Sequence, residues 1–402
     1  MLKTLAPRSE IAPVASGAAG ASPDRLDVIP RVLIICESAS AAFGGEAALP
    51  LHYFRVLRKR GVPVWLLTHA RTRGELSALF PDDPAIRYIE DTLLNRAMWQ
   101  IGRRMPSRLS YFTAGFVSRF ATQVAQRSIA RRLVVEERIG IVHQPMPVSP
   151  REPSMMFGLG APVVIGPMNG GMDYPEAFRR RSGTVEEFLV RAGRGCAAAL
   201  NRLMPGKRQA ALLLVANSRT REALPRGLCG NVVELVENGV DLSLWRPPAP
   251  GAEAAPSLRA TRFIFLGRLV DWKAVDFLLH AFAEASVQAP MQLLIIGDGD
   301  DRRRLEALAG SLGLDRSQGK ASASVTFTGW LPQQACAERL QDCDCLVLPS
   351  LLECGGAVVL EAMAIGKPVI ATNWGGPADY LDASCGILVA PAGREGLISG
   401  LR

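Results

Sequence analysis

The sequence contains few of the residues that mark a metal or redox centre. It has four histidines, scattered along the chain, and eight cysteines, none of which forms a Cys-x-x-Cys pair. That distribution favours reduced thiols in a cytoplasm over a disulfide framework or a structural zinc site. Nor does any run reach the ~20 uncharged apolar residues that a membrane-spanning helix needs. We therefore expect a cytoplasmic protein without structural zinc.

The first residues predict a tail rather than a signal peptide. Residues 1–27 are rich in Ala, Pro, Ser and Gly and lack an apolar core, so we expect them to be disordered. The whole chain of 402 residues has ordinary globular composition, with 48% apolar and 21% charged residues. That length suffices for two domains, each with its own core.

Lysine is scarce, and the charge is unevenly placed. Six lysines stand against forty arginines, and the net charge of +8 divides into +12 for residues 1–247 and −4 for residues 248–402. The basic half suggests an anionic surface or acceptor, although arginines that only keep a protein in solution give the same count. Nucleic acid is disfavoured, because the basic residues are not interleaved with aromatics.

Short apolar runs alternate with helical patterns along the whole chain. Uninterrupted runs of this kind, separated by helices, are typical of parallel sheets covered on both faces. We predict an α/β fold of two doubly wound Rossmann-like domains that face each other across a cleft. The domains are placed at 28–242 and 261–402, with a Pro-, Gly- and Ala-rich linker at 243–260. The predicted strands span 31–38, 62–69, 140–145, 161–168, 211–218 and 231–238, then 261–269, 291–299, 324–331, 345–351, 367–373 and 385–391.

The stretch LPSLLECGGAVVLEAMAIGKPVIAT (348–372) sets two carboxylates around a glycine turn. A helix is predicted after Gly355 and Gly356, and the N–H groups at its start form an anion site. A carboxylate beside bound phosphate would be repelled, so Glu353 and Glu361 suit sugar hydroxyls instead. Taken alone, such a pair of glutamates more often has no ligand-binding role. Glu353 would then be a partner of the helix dipole, and Glu361 a solvated helix residue.

Other turns follow the carboxyl ends of predicted strands, where ligands of such sheets bind. Arg268 and Lys273 come after one strand, and two cations there suit a diphosphate. The glycine-rich turn FGGEAA (43–48) opens a helix after the first strand, and His143 ends another strand. By themselves these residues are also consistent with surface charges, a tight turn and a structural histidine.

The order and spacing of several motifs carry a resemblance to a known family. Over Arg262 to Gly393 the chain looks like the second domain of family 4 glycosyltransferases (group 1), which have the GT-B fold. More loosely, the opening strand and glycine turn, the strand that ends in His143 and the stretch VENGVD around Asn238 resemble the family's first domain. The second-domain motifs are GRLVDWK, IIGDGDDRRRLEAL, VTFTGWLP, CDCLVLPSLLECGGAVVLEAMAIGKPVIAT and GILVAPAG.

The resemblance implies roles for the catalytic residues. Arg268 and Lys273 would bind the donor diphosphate, Glu353 would contact the transferred sugar, and His143 would lie near the reacting centre. Glu361 would hold the nucleotide ribose. The family transfers with retention of configuration and needs no bound metal or other cofactor, since the departing phosphate can take the acceptor proton.

Further donor-binding and cleft residues follow from the same resemblance. Gly44 and Gly45 lie where the first domain approaches the diphosphate, and Gly329 and Trp330 lie where the base edge is read. The loop GPMNGGMDYP (166–175) has no role in this pattern, and a tight structural turn is equally consistent with it. Backbone groups beside sugar and phosphate belong to Cys354, Gly355, Gly356 and Ala357, and possible cleft residues are Asn169, Gly170, Gly171 and Asn238.

The chain departs from the family pattern at three places. Ala274 follows Lys273 where glycine is usual, and Gly355 stands where an aromatic residue is frequent, which we expect to open space near the sugar. The family normally continues beyond the point where this sequence ends, at PAGREGLISGLR, so we expect its C-terminal helices to be missing.

Rival functions differ in what they require. A glycosidase also uses two carboxylates but has no diphosphate to hold. A metal-dependent transferase would use the aspartates of DGD (298–300) or DCD (342–344), which we assign structural roles. A nicotinamide dehydrogenase would need Gly-x-Gly-x-x-Gly after the first strand, and it is not there. A nucleotide-sugar hydrolase or epimerase, and a non-catalytic nucleotide-binding protein, remain as alternatives.

The acceptor side is predicted from residues 95–138, which combine apolar and arginine residues at near-helical spacing. They suit an anionic membrane surface, or an ordinary helix pair packed on its own domain. We predict a retaining hexosyltransferase that uses a nucleoside-diphosphate sugar and a glycan or polyprenyl-linked glycan acceptor, in bacterial surface or exopolysaccharide synthesis. It would be cytoplasmic or peripheral on the inner face of the membrane. The arginines are Arg103, Arg104, Arg108, Arg119, Arg131 and Arg132.

Overall fold

The structure is a computed structural model. It describes residues 29–105, 110, 113–181, 197, 199–248, 260–314, 323–391 and 394–402. The predicted tail, residues 1–27, and residues 249–259 of the predicted linker lie outside the described residues.

The first sheet has seven parallel strands in the order β3-β2-β1-β4-β5-β6-β7. The six strands predicted here are confirmed. The strand IRYI was missed, because Arg87 and Tyr88 interrupt the apolar run between Ile86 and Ile89. The strands are β1 Val32–Ile35, β2 Val64–His69, β3 Ile86–Ile89, β4 Ile141–Gln144, β5 Val163–Met168, β6 Leu212–Val215 and β7 Val232–Glu234.

Helices cover both faces of this sheet. Along β1, Leu33 and Ile35 enter one apolar core, and Val32 and Ile34 enter another on the opposite face. Burial on both faces explains why the strand is apolar throughout. The described helices are α1 Gly45–Lys59, α2 Arg73–Leu79, α3 Leu93–Gly102, α4 Ala114–Glu136, α5 Gly206–Gln209 and α6 Ser218–Glu222, with 3-10 turns at Ala70–Thr72 and Glu176–Arg181.

The second sheet has six parallel strands in the order β10-β9-β8-β11-β12-β13. The strand order reverses between β8 and β11, and ligands of doubly wound sheets bind at such a switch point. The strands are β8 Thr261–Leu266, β9 Met291–Ile296, β10 Ala323–Gly329, β11 Cys345–Leu348, β12 Val369–Thr372 and β13 Gly386–Val389. The described helices are α7 Val275–Ala285, α8 Arg302–Ser311, α9 Gln333–Asp342, α10 Ala357–Ile365, α11 Gly376–Tyr380 and α12 Arg394–Leu401, with a 3-10 turn at Asp271–Lys273.

The prediction of two doubly wound Rossmann-like domains is confirmed. The stretch between β7 and β8 contains the predicted linker, although nothing in the sheets tests its boundaries at 243 and 260. The domains meet through direct contacts. Trp374 Nε1 donates to the Asp173 carbonyl at 3.0 Å, and Asn217 Nδ2 donates to Asp379 Oδ2 at 3.1 Å. The two sheets therefore present their carboxyl-end loops to one another.

Candidate functional site

The centre of the site is formed by loops that follow β8 and β11. The Leu351 N–H donates to the Trp272 carbonyl at 2.8 Å, which ties the 3-10 turn after β8 to the loop after β11. This bond brings Lys273 against Glu353, and their side chains form an ion pair. The two side chains are only 15% and 13% exposed. The structure thus brings together two of the four predicted catalytic residues.

Glu353 is held in place by its own loop. Its Oε1 accepts from the Gly356 N–H at 3.2 Å, and its Oε2 accepts from Ser350 Oγ at 3.3 Å. Gly356 has φ +62°, a left-handed conformation that glycine adopts without the steric cost of a Cβ. In the described part of the chain, the N–H groups of Cys354, Gly355 and Ala357 have no hydrogen-bond partner. These donors at the start of α10 suit an anion.

Arg268 faces the first domain from the same edge of the sheet. Its guanidinium lies over the Trp272 ring, 5.8 Å from the centroid. Its charge lowers the pKa of Glu46, although burial, the larger effect, raises that pKa overall. Glu46 lies in the first turn of α1, directly after Gly44 and Gly45. A Cβ built at either glycine would have no atom within 4 Å, so this turn borders open space.

Glu361 lies inside α10 and is largely buried. Burial raises the pKa of its carboxyl to about 7. Gly329 and Trp330 lie at the end of β10, separated from β11 by β9 and β8. Trp330 is 60% exposed, as expected for a side chain that could cover a ligand. The structure places these predicted donor residues along one edge of the sheet rather than in mutual contact.

His143 is engaged within the first domain. Its Nε2 lies 2.7 Å from the Gly166 carbonyl, and the Tyr53 ring packs edge-on at 4.9 Å. Burial lowers the pKa of its imidazole, which favours the neutral form. In the described chain His143 makes no contact with Lys273 or Glu353, and its assignment to the reacting centre stays a prediction.

The loop 166–175, which contains three of the possible cleft residues, contacts the second domain. Asn169 Nδ2 donates to the Cys354 carbonyl at 2.9 Å and to Glu237 Oε1 at 2.9 Å. Gly170 N donates to Thr220 Oγ1 at 3.1 Å, and a Cβ at Gly171 would meet Arg219 and Ala223. Asn169 therefore lies at the contact between the domains. Gly171 lets the loop pack closely against α6, whereas a Cβ at Gly170 would collide with Pro150.

Glu237, which sequence reasoning missed, and Asn238, a predicted cleft residue, complete this contact. Asn238 Nδ2 lies 3.3 Å from Glu237 Oε1 and 3.5 Å from the Tyr380 hydroxyl in the second domain. Glu237 directly precedes Asn238 in VENGVD. The prediction that Asn238 lies in the cleft was therefore the sequence signal that could have pointed to Glu237. We expected Gly355 to leave open space, but a Cβ there would collide with Glu237 Oε1 and Asn238 Nδ2. In this structure the first domain fills that space.

Two of the aspartates considered as metal ligands, Asp298 and Asp344, have local partners. Asp344 Oδ2 accepts from the Arg262 N–H at 2.8 Å, which links β11 to β8. Asp298 accepts from the Gly299 N–H at 2.8 Å and from Arg302 at 3.0 Å. Among the described residues, no group of three or more His, Cys, Asp or Glu side chains is placed to hold a metal ion.

A cavity of about 1730 Å³ lies mainly in the first domain and reaches the second at Leu352 and Cys354. Its lining includes the polar side chains of Glu46 and of the buried Gln144. It also includes the exposed Trp99 and other residues of α3 and α4. Its volume exceeds the ~300–1,000 Å³ of ordinary small-molecule pockets. The space is large enough for an extended ligand that ends beside the Glu353 loop.

The predicted helix pair is present and is also exposed. Asn95 Nδ2 of α3 donates to Ser118 Oγ at 2.9 Å and to Thr122 Oγ1 at 3.1 Å, which fixes α3 on α4. On the outside of α3, Leu93 is 83% and Trp99 62% exposed. Arg108 lies outside the described residues. In the part of the chain that is described, no helix combines the length and apolarity needed to cross a membrane.

Comparison with known proteins agrees with this architecture. Residues 260–402 match the family model "Glycosyl transferases group 1". D-inositol 3-phosphate glycosyltransferase of Rhodococcus jostii (strain RHA1) is 38% identical over 161 residues, 36% of this chain and 33% of that protein. Alpha-D-kanosaminyltransferase of Streptomyces kanamyceticus is 33% identical over 131 residues, 32% of each chain. The chain thus aligns with about a third of the length of these relatives.

Solved structures cover more of the chain at lower identity. HepE from Anabaena, crystallised with UDP, has a TM-score of 0.59 and 17% identity, and covers 92% of this chain and 88% of its own. The two facing sheets and this likeness define the class of fold, which is GT-B. The match to the glycosyl transferases group 1 family lies in the second domain, residues 260–402.

Proposed function

We propose that the chain is a retaining, metal-independent glycosyltransferase that takes a hexosyl unit from a nucleoside-diphosphate sugar. The observation that carries this proposal is the Lys273–Glu353 pair beside the open amides of α10. Cation, carboxylate and amides meet at the switch point of the second sheet and face the first domain. A diphosphate needs the cation and the amides, and a sugar needs the carboxylate, so both halves of the donor find partners within one loop.

Charge development on the leaving diphosphate explains the two cations. When the bond between the sugar and the phosphate oxygen breaks, negative charge grows on that phosphate. Lys273 and Arg268 stabilise this charge, because both are held near it before the reaction begins. Lys273 is paired with Glu353 in this structure, so the donor would exchange that partner for phosphate oxygens. The freed Glu353 would then accept hydrogen bonds from sugar hydroxyls.

Transfer requires one bond to form and one to break at the anomeric carbon. The acceptor hydroxyl oxygen bonds to that carbon on the face from which the diphosphate leaves, so the configuration is retained. The hydroxyl proton passes to a phosphate oxygen, and no other base is needed. Glu361 would hold the ribose, and Gly329 and Trp330 would lie against the base. Support for these nucleotide contacts is their shared position at the carboxyl edge of the sheet.

The acceptor would occupy the large cavity of the first domain. The polar side chains of Glu46 and Gln144 in its lining suit a glycan hydroxyl, and the exposed Trp99 of α3 also belongs to the lining. A polyprenyl-linked glycan likewise combines a polar and an apolar part. We further propose that the exposed face of α3 and the +12 charge of residues 1–247 hold the protein at an anionic inner membrane surface, in bacterial surface or exopolysaccharide synthesis.

A transfer assay tests the proposal. Wild-type protein is incubated with radiolabelled nucleotide sugars and bacterial lipid-linked glycans, and labelled product is separated from free sugar. We expect transfer from one nucleotide sugar, and a loss of roughly 10²- to 10³-fold in Glu353→Gln and Lys273→Ala. Lys367→Ala, a lysine of the same domain beyond the end of α10, is the matched control and should keep full activity.

Two results would reject the proposal in different ways. Release of free sugar without transfer to any acceptor would favour the nucleotide-sugar hydrolase on the same fold. Transfer at wild-type rates by both Glu353→Gln and Lys273→Ala would show that the reaction takes place elsewhere.

A further inference from the structure

Glu237 lies at the contact between the first domain and the loop of Glu353. It follows β7, and its Oε1 accepts from Asn169 Nδ2 at 2.9 Å. The same Asn169 amide donates to the carbonyl of Cys354, the residue next to Glu353. The carboxyl of Glu237 is therefore positioned by a side chain that is itself fixed to the second domain.

The absence of a side chain at Gly355 is what allows this approach. A Cβ at that position would collide with Glu237 Oε1 and with Asn238 Nδ2. Gly355 is also one of the residues whose N–H groups we propose for the donor. The first domain thus brings a carboxyl directly to the amides that would hold the transferred sugar.

Three carboxyls act on one another at this point, and two of them have a cation beside them. Glu46 and Glu353 act on Glu237 as like charges. Lys273 is paired with Glu353, and the charge of Arg268 acts on Glu46. None of the salt bridges between described residues includes Glu237, and its Oε2 accepts no hydrogen bond from them. A partner for this oxygen has to come from outside those residues.

We infer that Glu237 selects the donor sugar, favouring neutral and amino sugars and excluding uronic acids. This inference rests on the proposed function. A sugar hydroxyl or ammonium group donates to the unused Oε2, and an amino group also gains from the surrounding negative charge. Once the donor has taken Lys273 away from Glu353, a uronic acid would bring its carboxylate against Glu237 and Glu353, where like charges are strongly unfavourable. Selection by repulsion needs no additional contact to the accepted sugar.

The test compares two donors that differ only in this carboxylate. Calorimetry measures the binding of UDP, UDP-glucose and UDP-glucuronic acid to the full-length wild-type protein and to Glu237→Gln. If the protein binds GDP or ADP instead of UDP, the corresponding GDP or ADP sugars are used. Glutamine keeps the size of the side chain and an acceptor for Asn169 but removes the charge. Measurements at pH 8 lie above the pKa of about 7 to which burial raises Glu237. Glu234→Gln, at an exposed glutamate on β7, is the matched control.

We expect wild-type protein to bind the neutral sugar at least about tenfold more tightly than the uronic acid. Glu237→Gln should reduce that ratio by on the order of tenfold while the affinity for the bare diphosphate stays unchanged. An unchanged ratio in Glu237→Gln, or equal wild-type affinity for both sugars, overturns the inference alone. Equal weakening of all ligands would show that Glu237 only joins the domains, which also overturns it. If no nucleoside diphosphate binds wild-type protein, the proposed function fails and the inference falls with it.

Discussion

The two domains share one fold but build their sides of the cleft differently. In the second domain, Lys273, Glu353 and Glu361 come from two short segments that each follow a strand. In the first domain, the cavity is assembled from α3, α4 and loops far apart in the chain, and Asn169 and Glu237 are 68 residues apart. The family model matches the second domain, in which these residues follow one another closely in the sequence.

Apart from the loss of transfer in the Glu353 and Lys273 variants, the largest effect that we predict separates the surfaces of the two domains. Wild-type protein should float with anionic vesicles at low salt and less at moderate salt, because both charge and apolar insertion contribute. Replacing Leu93 and Trp99 together by Ala should weaken vesicle binding by roughly tenfold or more, since each exposed side chain contributes ~1.5–3 kcal/mol when buried. Val287→Ala, 84% exposed on the second domain, is the control. Failure of the wild type to float at either salt would remove the membrane proposal.

The next prediction concerns Glu361 and pH. Burial raises the folded-state pKa of this carboxyl from 4.5 to about 7, so the folded protein binds the proton more tightly than the unfolded chain. Stability is therefore lost as pH rises from about 4.5 to 7. Glu361→Gln does not lose stability in this way. Between pH 5 and pH 8 its free energy of unfolding should therefore rise by up to about 3 kcal/mol relative to that of the wild type. Urea unfolding at both pH values measures the difference, and an equal offset at the two would contradict the assigned burial.

A smaller effect is expected from the contact that joins the domains. Asn169→Ala leaves the Cys354 carbonyl and Glu237 without their shared donor, at a cost of about 1–3 kcal/mol. Because that contact positions the Glu353 loop, we expect a several-fold rise in the donor dissociation constant. Asn231→Ala, whose amide binds Ala211 within the first domain, should leave donor affinity unchanged. Equal donor affinity in both variants would show that the interdomain contact does not shape the site.

The smallest effect is expected at Ala274, where this chain departs from the usual glycine. Ala274 has φ +52°, and the left-handed conformation costs an L-residue roughly 1–2 kcal/mol. Ala274→Gly removes that cost but also increases the conformational entropy of the unfolded chain, which destabilises the folded protein. We therefore expect a net stabilisation of only about 0.5 kcal/mol. Ala283→Gly, inside α7, should instead destabilise by about 1 kcal/mol. Destabilisation by both substitutions would contradict the assigned backbone conformation.

The contrast between residues close together in the chain and residues brought together by the two domains also explains what the sequence could predict. Apolar runs predicted twelve of the strands, and in fully buried strands such as β1 and β11 burial on both faces explains the uninterrupted pattern. Strand β3 was missed because its edge position tolerates Arg87 and Tyr88. Lys273 and Glu353 were found because each follows a strand at the ligand-binding edge. Glu237 was not, since its importance depends on Gly355, 118 residues away, and on how the domains meet.

The loop 166–175 gives the same lesson. Its glycines and asparagine suggested a tight turn or a cleft residue, and local sequence could not choose between them. Asn169 bonds to the second domain and Gly171 packs on α6, so the segment serves both purposes. Contacts that depend on the relative placement of two domains leave no periodic signal in either of them.

Donor binding to the Lys273–Glu353 loop is the central claim, and calorimetric titration with UDP, GDP and ADP tests it most directly. We expect wild-type protein to bind one of the three nucleotides. Lys273→Ala should bind that nucleotide roughly tenfold or more weakly, because a charge-assisted contact is missing, and Lys367→Ala should bind it as tightly as the wild type. Equal affinity of wild type and Lys273→Ala for the diphosphate would contradict the claim, because the nucleotide would then bind away from this loop.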